Sequence, residues 1–180
     1  MSYLSSLPDN AMLLDVFRAF PETSRPLLDY HELVMRGPSP FTAAEREVIA
    51  AYVSGVNACT YCHGVHTATA EACGVPAGLV PSAVADLDAA PVDDKLRAVL
   101  RYVGKLTRTP AAITGQDADD VLAAGWDQQA LHHAVLVCAL FNFMNRLVNG
   151  LGIQGDDDYF RASGERLVEV GYSGLNALLG

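Results

Sequence analysis

An all-α fold follows from three observations on this chain. Apolar residues recur every three to four positions in successive segments, alternating strand patterns are absent, and capping or stopping residues fall at the segment ends. Pro8 and Asp9 introduce an apolar stretch over residues 11–20, which Pro21 is expected to break. Residues 26–35 form a second expected helix, stopped by Gly37-Pro38. Thr42-Ala-Ala-Glu45 is a capping-box sequence that should start a third, with Val48, Ile49, Tyr52, Val53 and Val56 as its apolar face. A fourth is expected from about residue 58 to 72, with Asn57 as its cap and Gly74-Val75-Pro76 as its stop. Further helices are expected over 82–87, 92–106, 118–124 and 128–151, the last capped by Asp127. From Asp156 the tail is polar, then turns apolar from Leu175 to Leu179, and no internal repeat or low-complexity linker interrupts the chain.

The composition bounds the rest. At 180 residues and 51% hydrophobic, the chain can bury one substantial core, so a single domain over 1–180 is expected. Charged residues make up only 18%, which suggests that part of the surface is covered, as by other copies of the chain. A net charge of −9 and a pI near 4.8 argue against nucleic acid or an anionic membrane as partner. The strongest apolar run, 134–141, is far too short for a membrane span. Met1 to Asn10 lacks a basic segment followed by an apolar one, so no secretory signal is expected and the location is read as cytoplasmic. There, thiols are kept reduced, and a close Cys pair points to catalysis or metal binding rather than to a structural disulfide.

Residues 47–66 carry the chemical signal: Glu47, then Cys59-Thr-Tyr-Cys62, then His66. On a helix, Cys59, Cys62 and His66 stand at i, i+3 and i+7, on one face within two turns. Two thiols one turn apart close a disulfide with little rearrangement, and an imidazole one turn beyond is placed to handle a thiol proton. A cysteine reacts as thiolate, and two devices are available to favour that form. Cys59 should fall in the first turn of its helix, where unpaired backbone N–H groups favour an anion. Cys62 has His66 one turn on, and Glu47 is expected to reach His66 from the preceding helix. Small residues on both sides (Ala43, Ala44, Ala51, Ser54 and Gly55; Gly64, Ala68 and Thr69) should allow the close approach this requires. The helix-terminus argument favours Cys59 as nucleophile, and the histidine argument favours Cys62.

Plainer readings stand beside these. A bare C-x-x-C is a weak motif. Cys59, Cys62, His63 and His66 imitate a zinc set, but ligands so close on one helix cannot wrap a tetrahedral ion, so no metal is expected. His63 points about 100° away from Cys62 and reads as a surface or interface histidine. Cys73 and Cys138 read as buried apolar fillers, and His132 and His133 as capping or packing residues. No G-x-G-x-x-G and no P-loop are present, so no cofactor is expected.

Glu47, the step of twelve residues to Cys59, the C-T-Y-C pair and His66 resemble the signature of the alkylhydroperoxidase D-like (AhpD-like) group of the carboxymuconolactone decarboxylase superfamily. The segment Phe141-Asn-Phe-Met-Asn-Arg-Leu-Val-Asn-Gly-Leu-Gly152 is similar to the Asn-rich helix of its peroxidase-related members. The resemblance spans about residues 40–152. It implies a helical bundle that assembles into dimers, trimers or hexamers, and thiol-dependent reduction of a hydroperoxide. It further implies Cys62 as the attacking residue, Cys59 as the resolving one, and Glu47 with His66 as the proton relay. The regenerating partner would be a dithiol or a thioredoxin-like protein. Tyr61 is a departure, because the best-known peroxidase members carry histidine there. Decarboxylase members lack the Cys pair, which argues against decarboxylation. The same residues also admit a redox-sensing disulfide without turnover, or a metal-holding structural oligomer.

Overall fold

The computed structural model describes residues 2–180, and among them there are helices and turns but no strand. In order these are α1 (Leu13–Ala19), α2 (Pro21–Met35), α3 (Ala43–Val56), α4 (Thr60–Ala72), α5 (Leu79–Ala85), α6 (Asp94–Arg108), α7 (Gly115–Ala123), α8 (Gln128–Gly150) and α9 (Asp157–Val170), with short 3-10 turns at Pro110–Ala112 and Ser173–Leu178. The helix α3 is the hub. Every residue from Arg46 to Ser54 is buried, so this helix has no solvent face, and α2, α4, α5, α6 and α8 surround it. Its neighbour α4 lies between α3 and α9 and also touches α8.

Local rules explain most boundaries. The Thr42 hydroxyl accepts from the Glu45 amide at 3.2 Å while the Glu45 carboxylate accepts from the Thr42 amide at 2.7 Å, a complete capping box. Asp93, Asp127 and Asp156 cap α6, α8 and α9 in the same way, by accepting from the amide three residues on.

Several expectations are corrected. Pro21 does not end a helix; it occupies the first position of α2, where its missing N–H is no loss. The helix then runs straight through Pro26, so the second expected helix begins five residues earlier. Asn57 does not cap α4. It terminates α3, Ala58 turns the chain in a left-handed conformation (φ +52°), and Cys59 takes the cap position of α4. The fifth helix lies at Leu79–Ala85 rather than 82–87, because the left-handed Gly78 starts it earlier.

The helix α9 was not expected at all, and it changes how α4 packs. A Cβ on Gly64 would stand 2.3 Å from the Phe160 ring, and one on Gly164 would stand 2.8 Å from the Ala68 backbone. Gly64 and Ala68 therefore face α9, not α3 as the small-residue reading proposed. The helix α8 ends within one residue of its expected bound, but the reading of its apolar run as far too short for a span is corrected: at 23 residues the helix is long and apolar enough to cross a membrane. Half of that apolar window is buried in the protein core, against α3, α4 and α6, and the helix carries Asn142, Asn145 and Arg146.

Candidate functional site

The packing of α3 on α4 brings Glu47 to His66. Glu47 is fully buried, and its Oε2 lies 2.7 Å from His66 Nδ1. The other oxygen, Oε1, accepts from the Tyr172 hydroxyl at 2.8 Å and lies 2.7 Å from the Arg36 guanidinium, off the line of a hydrogen bond. Arg36 also stands over the Tyr172 ring, 5.0 Å from its centroid. Burial by itself would raise the Glu47 carboxyl. The hydrogen bond and charge of His66, with Arg36 and the Tyr172 hydroxyl, outweigh burial and hold it below the ordinary carboxylate range. An ionised carboxylate only accepts, so His66 Nδ1 carries the hydrogen, and in the neutral ring Nε2 is left with a lone pair.

The two thiols share a proton unequally. The Cys59 thiol is brought down to about 7, chiefly by a hydrogen bond from Cys62, with backbone amides of Cys62 and Tyr61 and the Asn145 side chain adding to it against burial. The Cys62 thiol is pushed well above its ordinary range by its bond to Cys59 and by burial. The helix-terminus effect thus acts on Cys59 as expected, although Cys59 is the cap residue rather than part of the first turn. The expected lowering of Cys62 by His66 is not found, because Cys62 is the donor to its neighbour. Asn145 is fixed beside the pair, donating to Ser54 Oγ at 3.0 Å and accepting from Asn57 at 2.8 Å.

Cys62 and His66 open onto an apolar cavity of about 80 Å³ walled by α1, α2, α4, α8, α9 and the C-terminal turn. Cys59 does not line it. Leu28, Val65, Phe141, Met144 and Leu167 form much of the wall, and the His66 ring meets Phe141 edge-on at 4.4 Å. A second imidazole, His31, faces the same space. Its Nδ1 donates to the Leu27 carbonyl at 2.8 Å, and its ring stacks on Tyr172 at 5.4 Å. Burial lowers His31 to about 4, so at neutral pH it is uncharged and its Nε2 offers a lone pair.

The remaining sequence candidates lie elsewhere. His63 is half-buried with Nδ1 2.9 Å from the Ala51 carbonyl, and His133 is buried with Nε2 2.7 Å from the Val34 carbonyl. Cys138 is buried beside Thr107 and Asn142. Cys73, at the end of α4, is only half-buried, a correction to its reading as a buried filler. Among the described residues no three His, Cys, Asp or Glu side chains gather in a way that could hold a metal ion. Sequence reasoning missed Arg36, His31 and Tyr172. Arg36 and His31 lie before the region of resemblance and Tyr172 lies after it, and no local motif marks any of them.

A buried carboxylate–imidazole pair beside a C-x-x-C pair, on an all-helical frame, defines a class of thiol-bearing helical proteins. The family model of the carboxymuconolactone decarboxylase family matches residues 21–104. An uncharacterized peroxidase-related protein from Silicibacter sp. is similar in structure, with a TM-score of 0.77 and 26% identity over 82% of this chain and 78% of its own. An uncharacterized peroxidase-related protein from Ralstonia eutropha, described as an alkylhydroperoxidase AhpD core, shows a TM-score of 0.76 and 22% identity over 83% of this chain and 78% of its own. A protein of unknown function from Agrobacterium tumefaciens, proposed as the antioxidant defence protein AhpD, shows a TM-score of 0.67 and 18% identity over 79% of this chain and 96% of its own. No curated protein matches the chain. The chain is thus similar to the carboxymuconolactone decarboxylase family over residues 21–104, and it shares its helical fold with these peroxidase-related proteins.

Proposed function

We propose that this protein is a thiol peroxidase that reduces hydroperoxides through Cys62 and Cys59, with Glu47 and His66 as the proton relay. The observation that carries this reading is the shared cavity: Cys62 and His66 both line it, and the far nitrogen of His66 is anchored to a buried carboxylate. Access decides between the two thiols. Cys59 has the lower pKa, but Cys62 faces the space a substrate would fill.

In the cycle, His66 Nε2 takes the Cys62 proton as the sulfur attacks the outer peroxide oxygen. The O–O bond breaks, and the alkoxide takes the proton from His66, giving an alcohol and Cys62 sulfenic acid. Cys59, rich in thiolate because of its lowered pKa, then attacks the sulfenic sulfur; a disulfide forms and water leaves. An external dithiol or thioredoxin-like protein restores both thiols by exchange, which suits the reducing cytoplasmic location expected for the chain. Self-association is part of the reading. Phe20 and Phe143 are about half exposed and border one apolar groove with Leu4 and Leu147.

The test is consumption of tert-butyl hydroperoxide with dithiothreitol as reductant. Wild-type protein should turn the peroxide over and Cys62→Ser should not. Equal activity in the two would refute the assignment.

A further inference from the structure

We propose that the cavity takes its hydroperoxide as an organic anion, with Arg166 and Ser163 of α9 receiving a carboxylate while the apolar wall holds the carbon skeleton. This substrate class rests on the peroxidase reading above.

Arg166 is half-buried and lines the cavity, yet among the described residues it makes no ion pair and no hydrogen bond, although Glu165 and Glu169 lie on its own helix. The other buried or half-buried arginines are engaged: Arg36 pairs with Glu47, while Arg25, Arg46 and Arg97 donate to backbone carbonyls. A guanidinium against an apolar wall without an acceptor has lost part of its hydration and gained nothing in return. A carboxylate would restore the balance through charge-assisted hydrogen bonds.

Ser163 stands three residues earlier on the same face of α9, is buried, and also lines the cavity. Four buried helical residues elsewhere tie their hydroxyls to the carbonyl four residues back, Ser24 to Phe20, Ser54 to Ala50, Thr69 to Val65 and Thr107 to Val103, whereas Thr67 Oγ1, which does not line the cavity, is without a partner among the described residues. The Ser163 hydroxyl makes no such bond among the described residues and is free to donate into the cavity. The other basic group on the wall that is not tied to Glu47, His31, is neutral and cannot compete for an anion. Ser163 and Arg166 of α9 line the same cavity as Cys62 and His66 of α4, so a ligand whose carboxylate is held by α9 has the rest of its length in the space that the thiol faces.

A cavity of about 80 Å³ suits a short acid. The test compares β-hydroperoxyisovalerate with tert-butyl hydroperoxide as substrates, and isovalerate with isovaleramide as unreactive ligands followed by NMR shift titration of the reduced protein. The charged hydroperoxide should show a kcat/KM about tenfold or more above the neutral one, the size expected for a charge-assisted pair. Arg166→Gln should bring that ratio to about one, and Arg166→Lys should keep part of it. Isovalerate, not isovaleramide, should shift the cavity resonances, and Arg166→Gln should abolish the shift. Equal kcat/KM for the two hydroperoxides with no isovalerate binding would overturn the anion site and leave the peroxidase reading standing. Isovalerate binding without turnover of either hydroperoxide would keep the anion site and overturn the peroxidase reading.

Discussion

Glu47 Oε2 and His66 Nδ1 stand 2.7 Å apart inside the protein, nineteen residues apart in sequence, with the carboxylate wholly buried. That contact fixes the tautomer of His66. Glu47→Gln reverses it, because an amide NH₂ placed at the same spot donates to Nδ1 and moves the ring hydrogen to Nε2. The cavity-facing nitrogen then no longer accepts a proton. Thiol oxidation should slow by about 100-fold or more, the range of lost general-base catalysis, and the ¹⁵N shifts of His66 should report the other tautomer. An unchanged rate would remove Glu47 from the mechanism.

Glu47→Ala is a different experiment. It leaves Arg36 and the Tyr172 hydroxyl buried around a void where an anion stood. The expected loss is about 3–5 kcal/mol of folding stability, as for breaking a buried ion pair, measured by urea denaturation. Tyr172→Phe removes only one neutral donor to the carboxylate and should cost about 1–3 kcal/mol.

Acid sensitivity follows from His31 and Glu47. The folded-state pKa of His31 is lowered from 6.5 to about 4, so below 6.5 the unfolded chain binds a proton that the folded protein refuses. Its contribution is fully present above pH 6.5 and is lost as pH falls toward 4, amounting to about 3 kcal/mol. The Glu47 carboxyl is also depressed, so its contribution is present above its ordinary 4.5 and is lost at lower pH. His31→Gln should flatten the stability profile between pH 4 and 6.5 while leaving the steeper loss below it.

The α4–α9 seam leaves no room for a side chain. Gly164→Ala puts a methyl group 2.8 Å from the backbone of Ala68 and Thr69, which cannot yield as a flexible side chain does. A loss of about 1–3 kcal/mol is expected, together with a widened cavity, seen as a lower denaturation midpoint and faster labelling of Cys62.

The thiol pair offers a spectroscopic check. One thiolate should titrate near pH 7 by its ultraviolet absorbance, and Asn145→Ala should move that titration upward, because Asn145 helps hold the Cys59 thiol down. Cys59→Ser should remove the transition altogether.

How much of this was legible in the chain follows from which forces are local. The cap of α3, the order of most helices and the Glu47–Cys59–Cys62–His66 set are written in short spacings, and a helix turns such spacings into faces. Asn145 falls within the Asn-rich segment that carried part of the resemblance. By contrast, α9 has a diluted apolar pattern, because its contact with α4 is shared between Phe160, which meets Gly64, and Gly164, which brings no side chain of its own. The unequal sharing of the thiol proton depends on which thiol donates to the other, a direction that spacing does not specify. Tyr172 reaches Glu47 across 125 residues, and Arg36 pairs with it from the loop after α2. Such long-range polar contacts leave no periodicity behind.

The most direct test of the central claim is a thiol count on reduced protein, denatured and mapped before and after one equivalent of an organic hydroperoxide. The account predicts rapid loss of two thiols, recovered as a Cys59–Cys62 disulfide, with Cys73 and Cys138 intact. Four surviving thiols would contradict it.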